Sequence, residues 1–162
     1  MNSIQHALMN AARRHIEERS QTNNACAEAA ALWIEQLDNL MNTIRLWVSP
    51  LKTLDGFIVE EIECDHPATD SNKRETQLKS RGLKLTFADT EVTVTPAWFQ
   101  IHGSLMSASG AIDVSGKGMV SWQIHYNNGS FEKMTVGPGN EINFGELSFT
   151  QVLADEVPRL KP

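Results

Sequence analysis

The chain has 162 residues, 41% of them apolar and 21% charged, with a formal net charge of −6 and two cysteines. That length and composition suit one domain, residues 1–162, and exclude wholesale disorder or any need for disulfides to hold a core. The excess of acids speaks against nucleic acid, whose binding rests on clustered Lys and Arg, and favours a basic or neutral partner.

Met1 to Ile16 mixes apolar with polar residues and carries Arg13 and Arg14 late, which is not the order of a secretory signal. No stretch approaches the roughly 18 uninterrupted apolar residues of a membrane span, so no membrane association is expected. Cys26 and Cys64 read as small buried thiols in a reducing compartment, which makes the cytoplasm the expected location.

From Asn2 to Val48 there is no proline or glycine, and residues that lose little on entering a helix dominate, so residues 1–49 form a helical region. Ser3 is the expected cap, and Pro50 limits the far end. Cys26, Ala30, Trp33, Leu37, Leu40, Ile44 and Trp47 recur at spacings of four and three, which puts them on one core-facing seam. In the same register toward the N-terminus come Asn23, Arg19, Ile16, Ala12 and Met9, so the seam is interrupted around Ser20 to Asn24. One long helix with a polar patch and a helical hairpin both satisfy this pattern, with the hairpin preferred.

Beyond Pro50 the period changes to alternation, and an antiparallel sheet is expected over residues 54–146, its first strand running from Gly56 to Cys64. Asp65 to Arg81 is polar, contains Pro67 and lacks an apolar period, which predicts a long mobile loop. Short strands then follow around Leu83 to Phe87, Val92 to Val94, Phe99 to Ile101, Ile112 to Val114, Val120 to Tyr126 and Phe131 to Val136. Asn128-Gly129 supplies a two-residue turn and Ser115 to Gly118 another, and such short links force antiparallel neighbours. Ser148 followed by Gln151 resembles a capping box, placing a short helix over residues 148–157 with a fraying tail beyond Pro158. The fold class is therefore α+β, a helix or helical hairpin packed on a curved meander sheet.

Chemistry is sparse in this pattern. Gly116-Lys117-Gly118 lacks the Ser or Thr and the following helix of a phosphate loop. Cys64, Asp65 and His66 are adjacent on an extended chain and cannot converge on one ion, so neither metal nor cofactor is expected. His102 and His125 fall on the polar face of predicted strands, and with Asp113 they would make an acid–base or ligand-binding group if their strands were neighbours. Glu60, Glu61 and Glu63 concentrate charge on the first strand, either guarding a sheet edge or recruiting a basic partner. Trp98 faces away from Phe99 and is a candidate anchor for a partner.

These features favour a non-catalytic protein-interaction domain, of the kind found in small chaperones, inhibitors or immunity proteins, meeting a protein partner through Glu60, Glu61, Glu63 and Trp98. The alternative is a small enzyme or ligand binder using His102, His125 and Asp113. A third reading is a homo-oligomer joined through the helical seam.

Overall fold

The computed structural model describes residues 2–103 and 107–162. It has the α+β architecture: a long helix α1 (Ser3–Trp47), a seven-stranded antiparallel sheet and a short helix α2 (Glu146–Glu156). The strands are β1 (Phe57–Thr69), β2 (Glu75–Phe87), β3 (Thr90–His102), β4 (Ser107–Ser115), β5 (Trp122–Asn127), β6 (Ser130–Val136) and β7 (Glu141–Asn143), and their order across the sheet is their order in the chain.

The expected helical hairpin is not formed, because α1 runs unbroken for 45 residues, about 68 Å at 1.5 Å per residue. Around Ser20 to Asn24 the residues that could have turned the chain stay helical, and the Thr22 hydroxyl donates to the Glu18 carbonyl at 3.0 Å within the helix. The cap is Asn2, with Ser3 the first helical residue: Asn2 Oδ1 accepts from the Gln5 amide at 2.8 Å and Gln5 Oε1 accepts from the Asn2 amide at 2.9 Å. Two orphan donors are thereby satisfied reciprocally. Before Pro50 the helix closes, and Ser49–Thr53 tightens into a 3₁₀ turn.

Residues 65–81 are not a loop. They are the end of β1, a tight turn and the start of β2, which pair continuously from Phe57 with Phe87 to Thr69 with Glu75. Asp70 makes the turn, its carboxylate accepting from the Asn72 and Arg74 amides at 2.9 Å, with Lys73 in the left-handed region at φ 61°. The segment looked featureless because its stabilising pairs lie on the other strand. Likewise Val92, Val94, Phe99 and Ile101 belong to the single strand β3, which is irregular between Pro96 and Trp98.

The β1–β2 hairpin also turns over along its length. Near its base Phe57 faces the core and Ile58 is exposed, whereas farther out the even-numbered His66 and Ala68 are buried. There β1 runs parallel to β3, with Ala68 beside Phe99. Gly82 lies at the crossing, where a Cβ would sit 2.7 Å from the Val94 carbonyl and 2.9 Å from Cys64 Sγ.

The core forms where the α1 seam meets the sheet, as Trp33, Leu37, Leu40, Met41 and Ile44 are buried against residues such as Leu85, Val94, Ile112 and Ile124. Trp33 is its anchor. Phe99, Gly110, Tyr126 and Phe131 are paired side by side across β3 to β6, and the indole lies on that rung. It stacks on Phe99 at 5.3 Å between centroids and meets Tyr126 edge-on at 4.8 Å. A Cβ on Gly110 would stand 2.9 Å from Trp33 Cη2 and Cζ3, so this glycine makes the space the ring occupies.

At the other end, α2 packs Phe149 and Leu153 into the core. Ser148 serves this helix from inside the first turn, its hydroxyl accepting from the Gly145 amide at 2.9 Å. The buried Glu156 carboxylate accepts from the Val120 amide at 2.9 Å, and the tail expected to fray is tied down by the Lys161 amide to the Lys117 carbonyl at 2.8 Å.

Trp33→Ala should cost about 3–5 kcal/mol by emptying a well-packed site, and Gly110→Ala about 1–3 kcal/mol by overpacking it. The two effects are coupled: in a Trp33→Leu background, urea denaturation should show a smaller penalty for Gly110→Ala than in the wild type. Equal penalties in both backgrounds would reject the account of the rung.

Candidate functional site

The outer face of the sheet carries the residues that suggested chemistry. His102 Nε2 and Ser109 Oγ are 2.6 Å apart, His125 Nε2 and Thr135 Oγ1 are 2.6 Å apart, and Asp113 accepts from Gln123 at 2.7 Å. Each side chain is engaged with a neighbour on the adjoining strand. His102 stands opposite Ser107 on β4 and His125 opposite Ala111 on the same strand. Two interstrand spacings, about 9.6 Å, and four residues, about 13 Å, therefore separate the histidine backbones. The expected histidine pair is not assembled.

His125 and Asp113 are diagonal neighbours on β5 and β4, and Trp98 lies on the same row as His125 with Ala111 between them. Trp98 is 36% exposed while Phe99 is buried, which places the indole on the outer face as the alternation required. The patch is shallow, and among the described residues no group of three His, Cys, Asp or Glu side chains is placed to hold a metal.

The acidic strand is partly neutralised by its surroundings. Glu61 bonds Arg45 of α1 at 3.0 Å and Arg81 of β2 at 3.1 Å, and Arg81 also bonds Asp38 at 3.2 Å. Asp38 and Glu61 accordingly hold the Arg81 pKa above its usual value, first through the Asp38 hydrogen bond. Glu60 lies 3.7 Å from Lys84 on the opposite side of β1. The Arg45–Glu61 and Arg81–Asp38 pairs tie the hairpin to α1, and because they are half-exposed their contribution to stability is modest. Trp98, two strands away on the outer face, does not join Glu61 in one surface.

His66 has a role that its sequence neighbours concealed. It is buried, and its Nε2 accepts the indole N–H of Trp33 at 2.8 Å. Because an indole nitrogen only donates, the ring proton must sit on Nδ1, which faces Ser80 Oγ at 3.4 Å. Burial lowers the His66 pKa from its ordinary 6.5, opposed by the nearby Asp65 carboxylate. Cys64 is half-buried beside it, and its thiol pKa is raised by burial and then by Asp65, which makes it a poor nucleophile.

The feature that sequence reasoning missed is the length of α1 left without cover. Its buried residues begin at Trp33, and the tip of the β1–β2 hairpin extends the contact only to Cys26, whose Sγ is 3.3 Å from Ser71 Oγ, and to Arg19, 3.5 Å from Asn72. Beyond that, Ile4, Leu8 and Ile16 are 78%, 68% and 67% exposed. A second apolar surface lies at the other end of α1, a groove of about 410 Å³ lined by Trp47, Leu51, Leu54, Phe87, Leu153 and Val157 among others. No helix among the described residues is long and apolar enough to cross a membrane.

Comparison with protein-family models, with curated proteins and with solved structures finds no match to this chain.

The His66 geometry fixes a pH dependence. The folded state holds the imidazole neutral, whereas the unfolded chain protonates it near 6.5, so the stability from this group is present above that pH and is lost as pH falls below it. The urea midpoint should drop between about pH 7.5 and about pH 5. In His66→Gln the corresponding part of the drop should vanish. An unchanged pH profile in the variant would show that the Trp33–His66 bond does not govern it.

Proposed function

We propose that the chain is a non-catalytic protein-interaction domain, in which the helix and sheet form a rigid mount and the first half of α1 is the working surface. The observation that carries this reading is the exposed row of Ile4, Leu8 and Ile16 on a helix that extends beyond its own sheet. Large apolar side chains in a row on a solvent-facing helix are the mark of a surface that is covered in use.

The acidic strand remains a secondary contact, since Glu60 and Glu63 stay exposed and would favour a basic partner. A cytoplasmic setting agrees with the two unpaired cysteines. The enzyme or ligand-binding reading has less support, because His102 lies far from His125 and Asp113 and each of the three is bonded to its own neighbour.

A pull-down from the native cell extract separates the surfaces. Ile4→Lys with Leu8→Lys should lose the partner, and Glu60→Lys with Glu63→Lys should weaken its capture and reduce its salt dependence. Both double variants should retain the wild-type melting temperature within a few degrees, since exposed substitutions usually change stability by about 0.5 kcal/mol or less. Equal capture of every partner by all three proteins would remove the support for this function.

A further inference from the structure

We propose that the outer half of the β1–β2 hairpin is an acid-released arm, which lies on α1 while His66 is neutral and swings away from it, with the rest of the sheet intact, when His66 takes up a proton. The device belongs to the fold and operates whatever α1 binds.

The hairpin is attached in two unequal parts. At its base Phe57, Leu83 and Leu85 are buried in the core, and β2 pairs with β3 from Leu83 to Phe87. The same part is tied to α1 by Arg45 to Glu61 and by Arg81 to Asp38. Beyond Gly82, among the described residues, β2 pairs with β1 alone, and β1 meets the rest of the sheet only where Ala68 and Thr69 run beside Phe99 and Gln100. Gly82 thus stands where the arm leaves the sheet, and the backbone freedom of glycine suits a hinge there. Because β1 and β2 pair with each other out to Thr69 and Glu75, the arm keeps its own ladder when it moves.

Little apolar surface holds the arm down. Its buried residues are His66 and Ala68, with Leu78 partly buried. The directional contact is the 2.8 Å bond from the Trp33 indole N–H to His66 Nε2. A proton on Nε2 sets donor against donor and places a charge out of water, which costs more than the loss of the bond alone. Swinging the arm outward returns the ring to solvent and relieves both.

The surroundings of the ring do not offset that charge. α1 meets it with Trp33 and β2 with Ser80, neither of which titrates near neutrality, and β3 brings the apolar Phe99 beside Ala68. Cys26 and Arg19 of α1 meet the tip at Ser71 and Asn72 and not the ring. Lys79 and Arg81 alternate with Ser80 along β2, and Arg81 is held by Asp38 and Glu61. Cys64 stays a neutral thiol. The Asp65 carboxylate, adjacent on β1, favours the cation, but burial outweighs it. The ring therefore takes its proton more readily with the arm open. As pH falls from the ordinary 6.5 toward the lower value of the closed state, each unit of pH multiplies the open-to-closed ratio by about ten. Release uncovers the face of α1 from Cys26 to Trp33.

Spin labels at Asn10→Cys and Glu75→Cys, in the full chain carrying Cys26→Ser and Cys64→Ser, read the arm as an electron–electron distance. The arm from Cys64 to Thr69 is about 20 Å long, so acid should add a population longer by about 10 Å or more at pH 5 to the single distance at pH 7.5. Nitrogen-15 resonances of the His66 ring should titrate together with the growth of that population, while circular dichroism keeps the sheet signal. His66→Gln, which retains an acceptor for the indole without titrating, should stay closed at both pH values. One unchanged distance in the wild type would overturn the arm, as would opening that precedes the titration of His66 or that is equally large in His66→Gln. Loss of the sheet signal together with opening would overturn it too, since the acid transition would then be unfolding of the whole chain. If His66→Gln is already open at pH 7.5, the coincidence of titration and distance in the wild type decides alone.

Discussion

The indole of Trp33 is the constraint from which most of the structure follows. The ring lies this close to the sheet because Gly110, between Phe99 and Tyr126, has no side chain to hold it off. Its buried N–H is met by an acceptor, His66, from the overturned half of the β1–β2 hairpin. One side chain thus fixes the rotation of α1, the register of three strands and the path of a hairpin. The stacked aromatics add attraction beyond simple burial, and the hydrogen bond adds direction.

Much of this architecture was legible in the chain. Alternation marked β4 to β6 because one face is dry and the other wet, and Asn128-Gly129 forms the turn it implied, with φ 45° and 97°. The seam from Trp33 to Ile44 is the core that its spacing indicated. What could not be read was pairing with distant partners. Residues 65–81 carry a polar sequence, and they are strand because β1 and β2 bond each other and because His66 and Ala68 turn inward. A local pattern does not register a face that changes along the strand.

The candidate site was less legible, for a related reason. His102, His125 and Asp113 were correctly placed on a wet face, but strand order and register decide which of them are neighbours, and β4 separates the two histidines. Glu61 looked like part of a bare acidic strand, whereas Arg45 from α1 and Arg81 from β2 reach it across 16 and 20 residues of sequence. Conversely, the helical period carried the seam's register on to Ile16, Ala12 and Met9, yet Ile16 is exposed, as are Ile4 and Leu8 beyond it. Only the finite reach of the hairpin shows that, among the described residues, nothing arrives to cover them.

The distance in sequence between Trp33 and its platform also orders events during synthesis. Tyr126 follows Trp33 by 93 residues, which at about 5–20 residues per second leaves the indole without its platform for roughly 5–20 s. Throughout that interval the platform beneath Trp33 is incomplete, while the strands can join one at a time as neighbouring hairpins that need no distant segment. The site under Trp33 is therefore among the last parts of the core to be completed. A chaperone that recognises extended apolar faces would meet this chain at Trp33 and Leu37, during the gap between making the helix and completing the rung.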